Sequence, residues 1–113
     1  MTALEKAKKA AQLIDSKKGE DVRVLQIGTL TTIGDYFVVA TGNSTTQVKA
    51  LADEVDEKMS AEGIEPERIE GYSTASWILM DYKDVIVHIF LKETREFYAL
   101  ERLWGDAPET AWE

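Results

Sequence analysis

The sequence predicts one α/β domain with five strands and three helices in the order αββαβββα. Helical-period apolar stripes occupy residues 2–18 and 44–62, and five short runs rich in β-branched and aromatic residues are bounded by turn formers. The 113 residues, 44% of them hydrophobic, suffice for one core without disulfides, and the chain has no cysteine.

Thr2 and Glu5 have the spacing of a capping box, and Leu4, Ala7, Ala11 and Ile14 recur at helical period until Gly19 offers a stop. Val22 to Ile27 reads as a strand. The glycine-flanked segment 28–34 turns the chain into a second strand, Asp35 to Thr41, whose unbroken Tyr-Phe-Val-Val-Ala run fits burial on both faces. Ser44 and Gln47 form a second capping-box pattern, opening a long helix with the stripe Val48, Leu51, Ala52, Val55 and Met59. Lys49–Asp53 and Glu54–Lys58 are expected ion pairs on its wet side, and Gly63 marks its end.

Strands follow at Arg68 to Tyr72, Trp77 to Tyr82 and Val85 to Leu91, the last two forming a hairpin with Lys83 and Asp84 in the turn. Alternation puts Val85, Val87, Ile89 and Leu91 on one face, and Ile86, His88 and Phe90 on the other. Phe97, Leu100, Leu103 and Trp104 suit a final helix, ended by Gly105 and Pro108. The domain is expected to span residues 1–107. Residues 108–113 read as a flexible tail in which Trp112 has no assigned role.

The formal charge is −8, and residues 1–20, with five lysines against Glu5, Asp15 and Glu20, leave −10 on the rest. Between 53 and 70, eight acids meet only Lys58 and Arg68. Such a surface repels phosphate backbones, so direct nucleic-acid binding is not expected and a basic protein partner fits better. The amino terminus lacks the apolar core of a secretory signal, and no apolar run approaches a membrane span. Freedom from cysteine suits a reducing compartment, so a cytoplasmic location is expected.

No catalytic constellation emerges. His88 is the sole histidine, which excludes a multi-histidine metal site within one chain, and no nucleophile or pocket is marked beside it. The TGNS turn before the long helix lacks the spacing of a phosphate-binding loop, and capping accounts for Ser44. No metal or cofactor is expected. The stretch from Trp77 to Ala107 is richer in aromatics and acids than packing requires, which points to protein recognition. Asp81 and Asp84 are costly to bury without partners, so that end of the hairpin should reach solvent. Trp77, Asp81, Tyr82, Asp84, His88, Tyr98 and Trp104 are the candidate partner-binding residues.

Three ordered segments, DYFVVATGNSTTQVKALADEV, EGYSTASWILMDYKDVIVHIF and REFYALERLWGDA, closely resemble the ribosomal silencing factor, or Iojap, family over about Leu4 to Ala107. The resemblance implies a mixed sheet with flanking helices, like nucleotidyltransferases in shape but without their chemistry. It implies binding to the large ribosomal subunit through ribosomal protein number fourteen, obstruction of small-subunit joining, and repression of translation when nutrients are limiting. It also implies self-association of the free protein. Lys83 departs from the pattern, since many relatives carry glycine there. Two other readings stand beside this one: a divergent nucleotidyltransferase using TGNS and scattered acids, for which strand-borne paired carboxylates are missing, and a homodimerisation module using the aromatic hairpin on itself.

Overall fold

The computed structural model describes residues 1–113, the side chain of Glu101 apart. Its elements are α1 (Ala3–Ser16), β1 (Glu20–Gln26), β2 (Tyr36–Gly42), α2 (Thr45–Ser60), β3 (Arg68–Glu70), β4 (Trp77–Asp81), β5 (Val85–Leu91), α3 (Lys92–Tyr98), α4 (Leu100–Leu103) and β6 (Glu109–Thr110). They build one mixed sheet in the order β3-β4-β5-β2-β1-β6. Its one parallel pairing is β2 with β5, and the other neighbours are antiparallel.

The sheet therefore has six strands, not the expected five. The sixth comes from the segment expected to be loose. Thr110 and Glu109 pair with Val24 and Leu25, and the Gln26 amide donates to Pro108 O at 2.8 Å. Trp112 donates its indole N–H to Val22 O at 3.1 Å, and Gln12 Nε2 donates to Trp112 O at 2.9 Å. Trp112 thus straps the carboxyl terminus across β1 and α1, so the expectation of a flexible 108–113 tail is corrected.

Each helix starts for a local reason. Thr2 Oγ1 accepts from the Glu5 amide while Glu5 Oε1 accepts from the Thr2 amide, a complete capping box. At α2, Ser44 Oγ accepts from the Gln47 amide, but Gln47 Oε1 reaches back to the Asn43 amide and its Nε2 donates to Lys18 O. The expected box is only half formed, because Gln47 instead ties the helix start to the α1–β1 turn. Glu54 and Lys58 meet at 3.9 Å as expected. For the expected Lys49–Asp53 pair, the geometry gives Asp53 to the Tyr72 hydroxyl at 3.0 Å and Lys49 to the face of the Tyr72 ring.

Helices α1 and α2 cover one sheet face. Ala7, Ala10, Ala11 and Ile14 of α1 and Val48, Leu51, Ala52, Val55 and Met59 of α2 pack on Val24, Val38, Ala40, Ile78, Met80, Val85, Val87 and Ile89. Three alanines let α1 approach the strands closely. The second face holds Leu25, Ile27, Phe37, Val39, Phe90 and Leu100, with Trp77, Ile86, Trp104 and Ala107 half-buried against them.

The single final helix expected around Phe97–Trp104 is two short ones, broken at Ala99 in the left-handed region (φ 48°, ψ 50°). Arg95 anchors the first. Its Nη1 donates to Thr41 Oγ1 at 2.7 Å and to Asp21 O at 2.8 Å, stitching α3 to β2 and to the irregularity in the β1–β2 register. Phe97 and Leu103, expected on the apolar side, are 82% and 75% exposed.

Candidate functional site

The second sheet face is covered over only part of its width. Trp104 lies edge-on to Phe37 of β2 at 5.5 Å, and α3 packs on β5 and β2, so among the described residues the main helix contacts on this face fall on the central strands. Antiparallel pairing sets Trp77 opposite Phe90, Leu79 opposite His88 and Asp81 opposite Ile86, and on the other flank Arg68 opposite Asp81 and Glu70 opposite Leu79. Directly paired residues share a face. Trp77, Leu79, Asp81 and Ile86 are half-buried there, an apolar strip edged by the charges of β3.

Trp77 is the most supported side chain of the strip. Its ring lies 4.9 Å from Phe90 and 4.9 Å from Tyr98, and its indole N–H donates to His88 Nδ1 at 3.1 Å. Gly71 fixes the approach to β4: at φ +78° its missing side chain matters, since a Cβ would meet Trp77 O at 2.1 Å. Tyr98, 54% exposed, touches both Trp77 and Phe97 and extends the aromatic surface onto α3.

The sequence-predicted residues do not all gather here. Tyr82 is 3% exposed among the helix-side core, one residue out of phase with Trp77 and Asp81. Burial, with Asp56 and Glu65 adding, raises its phenol well above the ordinary tyrosine value. His88 is on the same face as Trp77 but 4% exposed, and burial lowers its imidazole to about 4. It stays neutral at physiological pH, with Nδ1 already occupied as an acceptor, and offers a partner no surface. The expectation that Tyr82 and His88 contact a partner is therefore corrected: both are beneath the surface.

The two acids also part company. Asp81 Oδ1 accepts from the Lys83 amide at 2.8 Å, bracing the turn, and Oδ2 lies 3.6 Å from Arg68 Nε, at one end of the strip. Asp84 pairs with Lys6 of α1 at 2.9 Å, and its backbone oxygen accepts from the Asp35 and Tyr36 amides. Its carboxylate is directed to the helix side. Leu79, Ile86 and Phe97 were missing from the candidates. Leu79 shares its parity with Trp77 and Asp81, which is the signal that finds it.

A separate cleft of about 390 Å³ opens beside the end of β2, lined by Glu20, Asp21, Thr41, Lys92, Arg95, Glu96, Ala99 and Arg102. Two of its acids are engaged by protein groups: Glu20 accepts from Asn43 Nδ2, and Asp21 pairs with Arg23 and Arg95. Among the described residues no group of three or more His, Asp or Glu side chains could hold a metal ion. Nor is any described helix long and apolar enough to cross a membrane.

With the face defined, comparison decides the relationship: the family model described as ribosomal silencing factor during starvation matches residues 1–113. The chain belongs to the RsfS family. The RsfS of Halalkalibacterium halodurans is 46% identical over 99 residues, 88% of this chain and 85% of that protein. The RsfS of Bacillus subtilis is 43% identical over 88% of this chain and 84% of its own length. A crystal structure of a Chromobacterium violaceum protein superposes with a TM-score of 0.90 at 38% identity, over 93% of this chain and 88% of that one. RsfS members are ribosome-associated silencing factors and not a family of enzymes. The mixed α/β fold inferred from the sequence is borne out.

Proposed function

We propose that the protein docks the Trp77–Leu79–Ile86 strip, with Tyr98 beside it and Asp81 at its end, onto ribosomal protein number fourteen of the large subunit. Occupation of that intersubunit surface excludes the small subunit and silences translation without turnover or cofactor. The observation that carries the reading is the uncovered part of the second sheet face, where half-buried apolar side chains adjoin acids on an otherwise covered sheet. Family membership supplies the ribosome.

The charge supports the choice of a protein patch on an RNA-rich particle. At −8 the chain is repelled by exposed phosphates, so a basic protein surface is the landing site compatible with it. Asp81 steers that approach, and Trp77 is the anchor. The exposure of Phe97 and Tyr98 favours a second use of the same region, pairing two copies when ribosomes are absent.

The test is pull-down of isolated protein number fourteen by the full chain and by its Asp81→Lys and Asp84→Lys variants. Asp81→Lys should weaken capture, whereas Asp84→Lys, directed to α1, should weaken it much less. Equal loss in both would mean diffuse attraction and no local docking strip.

A further inference from the structure

We propose that His88 is a positioning residue for docking: it holds the Trp77 indole in the orientation that presents it to the partner. The inference deepens the function proposed above and rests on it. His88 itself is beneath the surface, so any influence on binding must pass through a neighbour.

The geometry identifies that neighbour. The indole nitrogen is a donor only, and it donates across the β4–β5 ladder to His88 Nδ1 at 3.1 Å. That bond assigns the imidazole proton to Nε2, since Nδ1 cannot accept and carry a proton at once. Phe90 and Tyr98 contact the Trp77 ring at 4.9 Å each, restricting its tilt, but aromatic contacts do not choose which edge of the indole faces inward. The hydrogen bond does. It turns the nitrogen toward the sheet and leaves the ring's other edge toward solvent.

A merely space-filling role for His88 fits the surroundings poorly. Its ring lies 4.5 Å from Phe37 and 6.1 Å from Phe90, in a pocket that phenylalanine would fill. Among the described residues His88 Nε2 meets no hydrogen-bond partner, so the imidazole carries a desolvation penalty that phenylalanine would not. What the histidine supplies in return is the single acceptor for Trp77. Burial keeps that acceptor unprotonated near neutrality.

Three variants separate positioning from packing. His88→Phe keeps the ring and removes the acceptor; His88→Asn keeps an acceptor near the Nδ1 position but leaves a void; Trp77→Phe removes the donor. Each full-length variant is measured by thermal melting, by affinity for isolated large ribosomal subunits, and by the indole ¹H–¹⁵N resonance of Trp77, assigned against Trp104→Phe and Trp112→Phe. His88→Phe should melt no lower than the parent yet bind about fivefold to tenfold more weakly, with the Trp77 indole proton moved upfield as its hydrogen bond is lost. His88→Asn should melt lower yet bind better than His88→Phe, and in a Trp77→Phe background His88→Phe should cost no further affinity. Stability and affinity thus move in opposite orders, which packing alone does not produce. If Trp77→Phe weakens binding while His88→Phe binds like the parent, positioning by His88 is overturned and the docking strip stands. If Trp77→Phe itself binds like the parent, the docking reading has failed at its anchor and the role of His88 falls with it.

Discussion

Replacing Trp77 by alanine should weaken ribosome binding while leaving the domain folded, and the structure gives the size of both effects. A fully buried tryptophan cut to alanine costs roughly 3–5 kcal/mol of stability. Trp77 is half-buried, keeps ring contacts chiefly with Phe90 and Tyr98, and among the described residues makes one hydrogen bond, to His88. Contacts of those kinds contribute about 1 kcal/mol each, so the expected loss from the three is about 3 kcal/mol. For a domain of this size that lowers Tm by about 15 °C and leaves the chain folded at 25 °C. A central aromatic anchor removed from an interface costs a further ~2 kcal/mol or more, a drop in affinity of at least about 30-fold. Melting by circular dichroism and co-sedimentation with isolated large subunits, both at 25 °C, read the two effects separately. Unchanged affinity in the folded variant would refute the anchor, and unfolding at 25 °C would show that Trp77 serves the core.

Three further expectations follow from local geometry. Lys83 occupies the left-handed region at φ 74°, so Lys83→Gly should raise stability by about 0.5–1 kcal/mol in denaturant titration; a lower midpoint would mean that the Lys83–Glu67 pair at 3.6 Å outweighs the strain. Trp112→Ala removes the indole bond to Val22 O and the ring's packing on the core, and should cost about 2 kcal/mol while speeding hydrogen exchange of the Gln26 amide, which donates to Pro108 O; parent-like exchange would show that the ring is dispensable for holding the terminus. His88 is depressed to about 4 when folded, against 6.5 when unfolded, so the unfolded chain takes up its proton first as pH falls. Stability should therefore be unaffected by this group above about pH 6.5 and decline by about 3 kcal/mol as pH approaches 4, and His88→Phe should remove that component; identical pH profiles for parent and variant would contradict the burial argument.

Much of this fold was legible because its signals are local. The Thr2–Glu5 cap, the apolar stripe of α2 and the alternation in β5 each depend on residues within a few positions of one another, and all appear as read. The sixth strand was not legible. Glu109–Thr110 is too short to show a period, and it is held by pairing with β1 and by Trp112 on Val22, contacts some 85 to 90 residues distant in sequence. The break at Ala99 was missed for a related reason: alanine is a strong helix former, and its left-handed conformation is imposed by the flanking helices that dock on the second face.

For the proposed site, composition drew attention to the hairpin but not to which of its side chains reach the surface. Aromatic and acidic character marked Trp77, Asp81 and Tyr98, which adjoin the open strip, and equally marked Tyr82 and His88, which are buried. Parity along β4 excludes Tyr82 from the face of Trp77. No sequence signal shows that α3 and α4 leave the β3–β4 side open, because that depends on how far two short helices reach.

The central claim, that this protein silences ribosomes by occupying the joining surface of the large subunit, is tested most directly by light scattering of subunits mixed after incubation with increasing amounts of the chain. Pre-incubation with large subunits should reduce joining in proportion to occupancy, pre-incubation with small subunits should have less effect when mixing is immediate, and Asp81→Lys should need more protein for the same reduction. Joining that proceeds unchanged when the large subunits are saturated would contradict the account.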